Sequence, residues 1–119
     1  MATRSTISIR NEDDTVTSIY CHWDGYIDHN GRILVENYKT EEEVRALLAL
    51  GNLSSLGIDL ASCKAYGRDM QEEDQEAVTY HNRALFLFGH SQEYNYIYER
   101  DMGWMVDVGG REYLVETAL

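Results

Sequence analysis

The chain has 119 residues, 44% hydrophobic and 26% charged, which is ordinary composition for one globular domain and enough to bury a core without metal or disulfide staples. Its 21 acidic residues against 10 basic ones give a net charge of −11 and a pI near 4.6. Such a field repels phosphate backbones, and the basic residues scattered from Arg4 to Arg111 form no patch, which argues against direct nucleic-acid binding.

The same charge suits solubility, and it also suits a partner with a basic surface. No apolar run approaches the roughly 18 residues that span a bilayer, so no membrane role is expected. The first residues are polar and lack the apolar centre of a secretion signal, and the two cysteines, Cys21 and Cys63, then read as reduced cytosolic thiols. Proline is absent, so breaks between elements must rest on glycine, asparagine and aspartate.

Residues 5–10 alternate, with Ile7 and Ile9 on one face and Thr6, Ser8 and Arg10 on the other. Asn11-Glu12-Asp13-Asp14 is a turn by composition, and 15–22 resumes the strand, so the two runs predict an antiparallel hairpin. Val16 and Ile19 fall out of strict alternation, which suggests a bulge. Asn30 is placed to cap a short helix over 32–38. A second helix follows from the capping box Thr40…Glu43, with Glu41, Glu42 and Glu43 at the positive end of its dipole. Val44, Leu47 and Leu48 form its apolar stripe, and Gly51 is placed to end it.

Residues 52–57 read as a loop, 62–66 as a strand and 68–76 as a polar, acidic surface loop. Over 79–88 the spacing of Tyr80, Ala84, Leu85 and Phe88 predicts a helix ending at Gly89, although 85–88 would also suit a buried strand. Residues 94–98 and 103–107 form a second hairpin, Gly109-Gly110 break it, and 112–119 predict a terminal amphipathic helix. The expected architecture is α+β in one domain: a single antiparallel sheet of four to five strands built from two hairpins, with three to four helices packed mainly on one face.

Chemistry concentrates in Tyr20-Cys21-His22-Trp23-Asp24-Gly25-Tyr26. A metal reading of Cys21, His22, Asp24, Asp28 and His29 fails on spacing, because adjacent Cys21 and His22 point to opposite faces of a strand; no metal and no cofactor are expected. Neither cysteine carries an activating feature, and both read as small core residues rather than nucleophiles. No Gly-rich phosphate loop is present.

Asp24-Gly25 is a strong turn dipeptide, flanked by Trp23 and Tyr26. Two readings stay open there: exposed aromatic anchors for a partner, or a Trp packed under the sheet with Tyr26 stapling the next helix. Tyr94, Tyr96 and Tyr98 share one strand face: outward it would be a sticky stripe for a partner or a planar ligand, and inward, the favoured reading, it is core with hydroxyls reaching the rim. Three acidic clusters, 12–14, 41–43 and 72–76, supply an acidic surface in Glu41, Glu42, Glu72, Glu73, Asp74 and Glu76. Aligned, they would imitate a phosphate stripe, although a turn and a helix N-terminus already explain two of them.

Ala2-Thr3-Arg4-Ser5-Thr6-Ile7, the Tyr20–Tyr26 block, Gly31-x-x-Leu34-x-x-x-Tyr38 and Asn52-Leu53-Ser54-Ser55-Leu56-Gly57 together resemble a widespread group of small phage and prophage proteins. Tyr66-Gly67-Arg68-Asp69 and the stretch from Glu93 to Trp104 are similar to its second half, while 70–90 departs from it. The resemblance implies a viral origin and a bacterial-cytoplasm setting, and no activity. Small acidic phage proteins of this kind are associated with antagonism of host machinery, CRISPR and restriction systems included.

The leading expectation is therefore a non-enzymatic phage accessory protein that binds and inhibits or redirects a bacterial host protein with a basic surface, a host-defence complex being the candidate target. Its binding residues are expected to be His22, Trp23, Asp24, Tyr26, Arg68 and Asp69. The alternative is a small-molecule binder or hydrolase with a pocket at the same corner and Arg68 as anchor for a phosphate or carboxylate.

Overall fold

The computed structural model describes residues 2–119. Its strands are β1 (Ser5–Arg10), β2 (Val16–Cys21), β3 (Leu53–Ser55), β4 (Lys64–Ala65), β5 (Val78–Tyr80), β6 (Tyr94–Glu99), β7 (Gly103–Val108) and β8 (Arg111–Leu114). The helices are α1 (Arg32–Asn37), preceded by a π-helical turn over Ile27–Gly31, then α2 (Glu41–Leu48), α3 (Tyr66–Met70), α4 (Arg83–His90) and α5 (Val115–Ala118).

Seven strands run in the order β4-β3-β2-β1-β6-β7-β8, and β5 pairs off that path with β2. Both expected hairpins are present as β1–β2 and β6–β7, but the expected small antiparallel sheet is not. The two hairpins are joined by a parallel pairing of β1 with β6, from Ser5↔Tyr94 to Ile9↔Tyr98, and β3 adds to β2 in parallel at Cys21↔Leu53. The sheet is mixed, with eight strands, because four strands of two to four residues are too short to print an alternating pattern in the sequence.

Those short strands account for the other differences. Residues 52–57 contain β3 rather than a plain loop. In 62–66 only Lys64–Ala65 is strand, and Tyr66 already opens α3, which takes the start of the expected acidic loop. The 79–88 segment divides into β5 and α4, with Asn82 as the N-cap of α4, its Oδ1 accepting the Leu85 amide at 2.8 Å. The terminal segment divides into β8 and α5. The helix α2 carries the full capping box: Glu43 N–H donates to Thr40 Oγ1, and Thr40 N–H donates to Glu43 Oε1, each at 3.1 Å.

Register sorts the side chains onto two unlike faces. Ser5↔Cys21 to Arg10↔Val16 pair without interruption, so the expected bulge is absent; Val16 and Ile19 instead serve opposite faces. On one face Ile7, Ile9, Ile19, Cys21, Tyr96, Tyr98, Trp104 and Val106 pack beneath Leu34 of α1, Val44, Leu47 and Leu48 of α2 and Val115 of α5. On the other, buried Thr6 donates to Asn95 Oδ1 at 3.0 Å and Ser8 to Ser18 Oγ at 2.7 Å. That polar face is covered by α4, whose Phe86 packs on Val16 and Ile97. Among the described residues there are five α-helices rather than the expected three to four; α1, α2 and α5 pack on the apolar face and α4 covers the other.

The tyrosine face of β6 turns inward. Tyr96 and Tyr98 donate their hydroxyls to the carbonyls of Gly25 (2.7 Å) and Lys39 (3.2 Å). Cys21 and Cys63 are both free and buried, and burial pushes the Cys21 thiol up to about 11.

Candidate interaction surface

The corner after β2 is held by backbone on two sides. His22 N–H and Trp23 N–H donate to the carbonyls of Leu53 and Ser54, both at 3.0 Å, extending the parallel pairing past the end of the strand. Gly25 N–H donates to Thr3 O at 2.8 Å. A Cβ on Gly25 would lie 2.8 Å from both the Ser5 Cβ and that carbonyl, so only glycine lets the segments approach this closely. The left-handed residue of the turn is Asp24, at φ 59°, rather than the glycine that the dipeptide suggests.

Asn30, expected as a helix cap, is instead fully buried. Its Nδ2 reaches Ser5 Oγ at 3.3 Å and Trp23 O at 3.4 Å, and His29 Nδ1 lies 2.9 Å from its Oδ1. The turn is thus fixed from below by Tyr96 and Asn30.

On that fixed backbone the aromatic side chains face outward. Trp23 is 43% exposed and Tyr26 42%, so the exposed reading of the corner describes both rings. The half-buried His22 ring takes a 2.7 Å hydrogen bond between Nδ1 and the Tyr20 hydroxyl, and meets the Trp23 ring edge-on at 4.7 Å between centroids. Tyr26 leans on His29 with centroids 5.9 Å apart.

Arg68 and Asp69 do other work. The Arg68 guanidinium donates to Asp69, to Leu60 O at 2.8 Å and to Cys63 O at 2.6 Å, while Asp69 Oδ2 accepts the Ala65 amide at 2.8 Å. Hydrogen bonding to Arg68 holds the Asp69 carboxyl below the usual carboxylate range. The pair closes the loop between β3 and α3, and among the described residues no hydrogen bond or ion pair joins it to His22, Asp24 or Tyr26. A cleft of about 300 Å³ between α4 and the sheet reaches Tyr20 but none of those residues. Among the described residues no group of three or more His, Cys, Asp or Glu could hold a metal ion, and no helix is long and apolar enough to cross a membrane.

The acidic clusters do not behave alike. Arg100 bridges Glu12 and Glu41 at 3.0 Å each, Arg45 adds a second contact to Glu41 at 3.1 Å, and Arg10 takes Asp14 at 2.9 Å. The first two clusters therefore form one ion-pair lattice. The third is different: Glu72, Glu73, Asp74 and Glu76 have no ion pair among the described residues, and all are exposed.

This bare loop is held in place by Asn52, a residue that no pattern in the sequence singles out. Asn52 N–H donates to Gln75 O at 2.7 Å and its Nδ2 to Gln75 Oε1 at 3.1 Å. Its Oδ1 accepts the Tyr20 amide at 2.9 Å and its carbonyl accepts the Tyr66 amide at 3.1 Å. One buried-edge amide thus couples the uncompensated acidic loop to the strand that carries the aromatic corner. No family model matches the chain, and neither a curated protein nor a solved structure matches it.

Proposed function

We propose that this chain is a non-enzymatic phage accessory protein that acts in the bacterial host cytoplasm by docking on a host protein with a basic surface, inhibiting or redirecting it. The observation that carries the reading is the Trp23–Tyr26 corner: large aromatics exposed on backbone that is already immobilised. Rigid exposed aromatics bury much area on binding for little loss of conformational freedom, which is the profile of interface hot spots. The 72–76 loop, joined to the corner through Asn52, supplies negative charge that no internal cation neutralises, and this favours a basic partner and steers its approach. The phage resemblance supplies the setting, and host-defence complexes of the CRISPR or restriction type are the first targets to try.

The small-molecule alternative loses its anchor, since the Arg68 guanidinium is engaged with Asp69 and two backbone carbonyls. A thermal-shift screen against nucleotides tests it directly: a ligand at 100 times its dissociation constant would add about 2.7 kcal/mol.

The main test compares capture from bacterial lysate by three proteins: the unaltered chain, the Trp23→Ala/Tyr26→Ala variant, and a Glu72→Lys/Glu73→Lys/Asp74→Lys variant. One retained protein should be lost with either variant, and its binding to the unaltered chain should weaken as salt rises. Capture of nothing, or of proteins that all three retain equally, overturns the reading.

A further inference from the structure

The polar face of the sheet is only partly covered. Register puts Val78 and Tyr80 of β5 on the same side as Ser18 and Val16 of β2, since paired residues share a face. The helix α4 crosses that side but reaches down through Phe86 alone, onto Val16 and Ile97. Between its C-terminal end and β5 the cleft of about 300 Å³ stays open, with Thr6 and Ser18 on its floor. Both are more than nine-tenths buried, although a sheet face beneath a helix is ordinarily apolar. Such departures from pattern gather at functional sites.

The floor also keeps hydrogen-bonding capacity. Thr6 Oγ1 donates to Asn95 Oδ1 at 3.0 Å, which leaves its lone pairs free to accept. Ser18 Oγ accepts from Ser8, and its own proton has only the Ile19 carbonyl at a long 3.5 Å. At the rim, the Gln92 side-chain amide has no hydrogen-bond partner among the described residues. No Asp, Glu, Lys or Arg is among the described residues that line this cleft, whereas other hollows are bordered by Glu12, Glu36 or Glu72.

We propose that this cleft binds one uncharged, hydroxyl-rich ring: a monosaccharide, free or as the terminal unit of a glycan. An anion is disfavoured, because no lysine or arginine lines the cleft and the carbonyl end of α4 borders it at Gly89 and His90. A cation finds no carboxylate there. A flat base finds no open pair of parallel rings, since Tyr80 already meets Phe86 at 5.1 Å and His90 at 4.3 Å, both tilted. Sugar hydroxyls both donate and accept, which answers Thr6, Ser18 and Gln92 together, while Val78 offers an apolar side to the C–H face of the ring. The volume lies at the lower end for ligand pockets, so it suits one ring and a weak, roughly millimolar affinity.

This inference is independent of the aromatic corner, so Trp23→Ala/Tyr26→Ala should leave sugar binding unchanged. Titration of the full chain with glucose, galactose, N-acetylglucosamine and ribose, followed by amide chemical shifts, should move Thr6, Ser18 and 86–92 for at least one sugar. Thr6→Val and Gln92→Ala should each weaken that binding at least threefold. The phosphomonoester of the same sugar should bind at least tenfold more weakly, and adenine should not compete. No shift at the cleft with any of the four sugars, a response unaltered in both variants, equal affinity for the phosphomonoester, or displacement by adenine overturns the proposal. If Thr6→Val loses its fold, Gln92→Ala decides alone, because Gln92 bonds to Asn95 through its backbone only.

Discussion

The two faces of the sheet are built on opposite plans. One presents Ile7, Ile9, Ile19, Tyr96 and Tyr98 to three helices and forms a continuous core. The other buries Thr6, Ser8, Ser18 and Asn95, which bond to one another, and closes the face with a single phenylalanine from α4. Apolar burial contributes about 25 cal/mol per Å², whereas buried hydroxyls mostly exchange one hydrogen bond for another. The first face should therefore hold the domain together. The second fixes strand register but grips its helix lightly. The same difference explains why the corner is rigid, since Tyr96 reaches it from the apolar face, and why α4 is left with an apolar back turned to solvent.

The largest expected effect is on the apolar face. Leu47→Ala should lower global stability by about 2–5 kcal/mol, read by chemical denaturation. Phe86→Ala should act differently: amide exchange in α4 should accelerate while β1 and β6 keep their protection. Equal loss of protection across the sheet would show that the faces are not energetically distinct.

A second contrast is alkaline. Burial raises the Cys21 thiol to about 11 from an ordinary 9.0 and holds the Tyr38 and Tyr96 hydroxyls well above the phenol range. The folded state keeps protons that the unfolded state releases, so this stability is fully present below about pH 9 and falls as pH rises toward 11. The Cys21 share is on the order of 2–3 kcal/mol. Denaturation midpoints across that range should decline, and Cys21→Ala should flatten the decline; an unchanged slope would refute the assignment to Cys21.

Single hydrogen bonds sharpen the comparison further. Tyr96→Phe strands the buried Gly25 carbonyl and should cost about 1–3 kcal/mol, against about 0.5–1.5 for Ser8→Ala on the polar face. Tyr96→Phe should also broaden the Trp23 indole resonance by loosening the corner. The smallest effect is local: Thr40→Ala removes the cap of α2 and should cost about 1 kcal/mol in thermal unfolding, with β-sheet exchange unchanged.

What could be read in advance follows the length scale of the interaction. The hairpins and the capping box of α2 depend on residues two to four positions apart, and each was legible as alternation, turn chemistry or cap spacing. The corner was legible as a place but not as a geometry. The sequence points to Trp23-Asp24-Gly25-Tyr26, yet the left-handed residue is Asp24, and Gly25 is needed for the close approach of Thr3 and Ser5, which leaves no room for a Cβ. Arg68 and Asp69, read as ligand contacts, turned out to satisfy each other and the nearby backbone. Asn52 had no local signature, since its partners at Tyr20, Tyr66 and Gln75 come from three separate segments.

By itself the sequence determined the elements whose hydrogen bonds close within a few residues, the apolar side of each, and the overall sign of the field around the molecule. Only the tertiary structure decided the parallel junction of β1 with β6, which acidic cluster keeps its charge, and which aromatic rings meet water. Those outcomes depend on pairings between distant segments, and the loop-closure entropy that such pairings must overcome is repaid by the whole core rather than by any local run of residues.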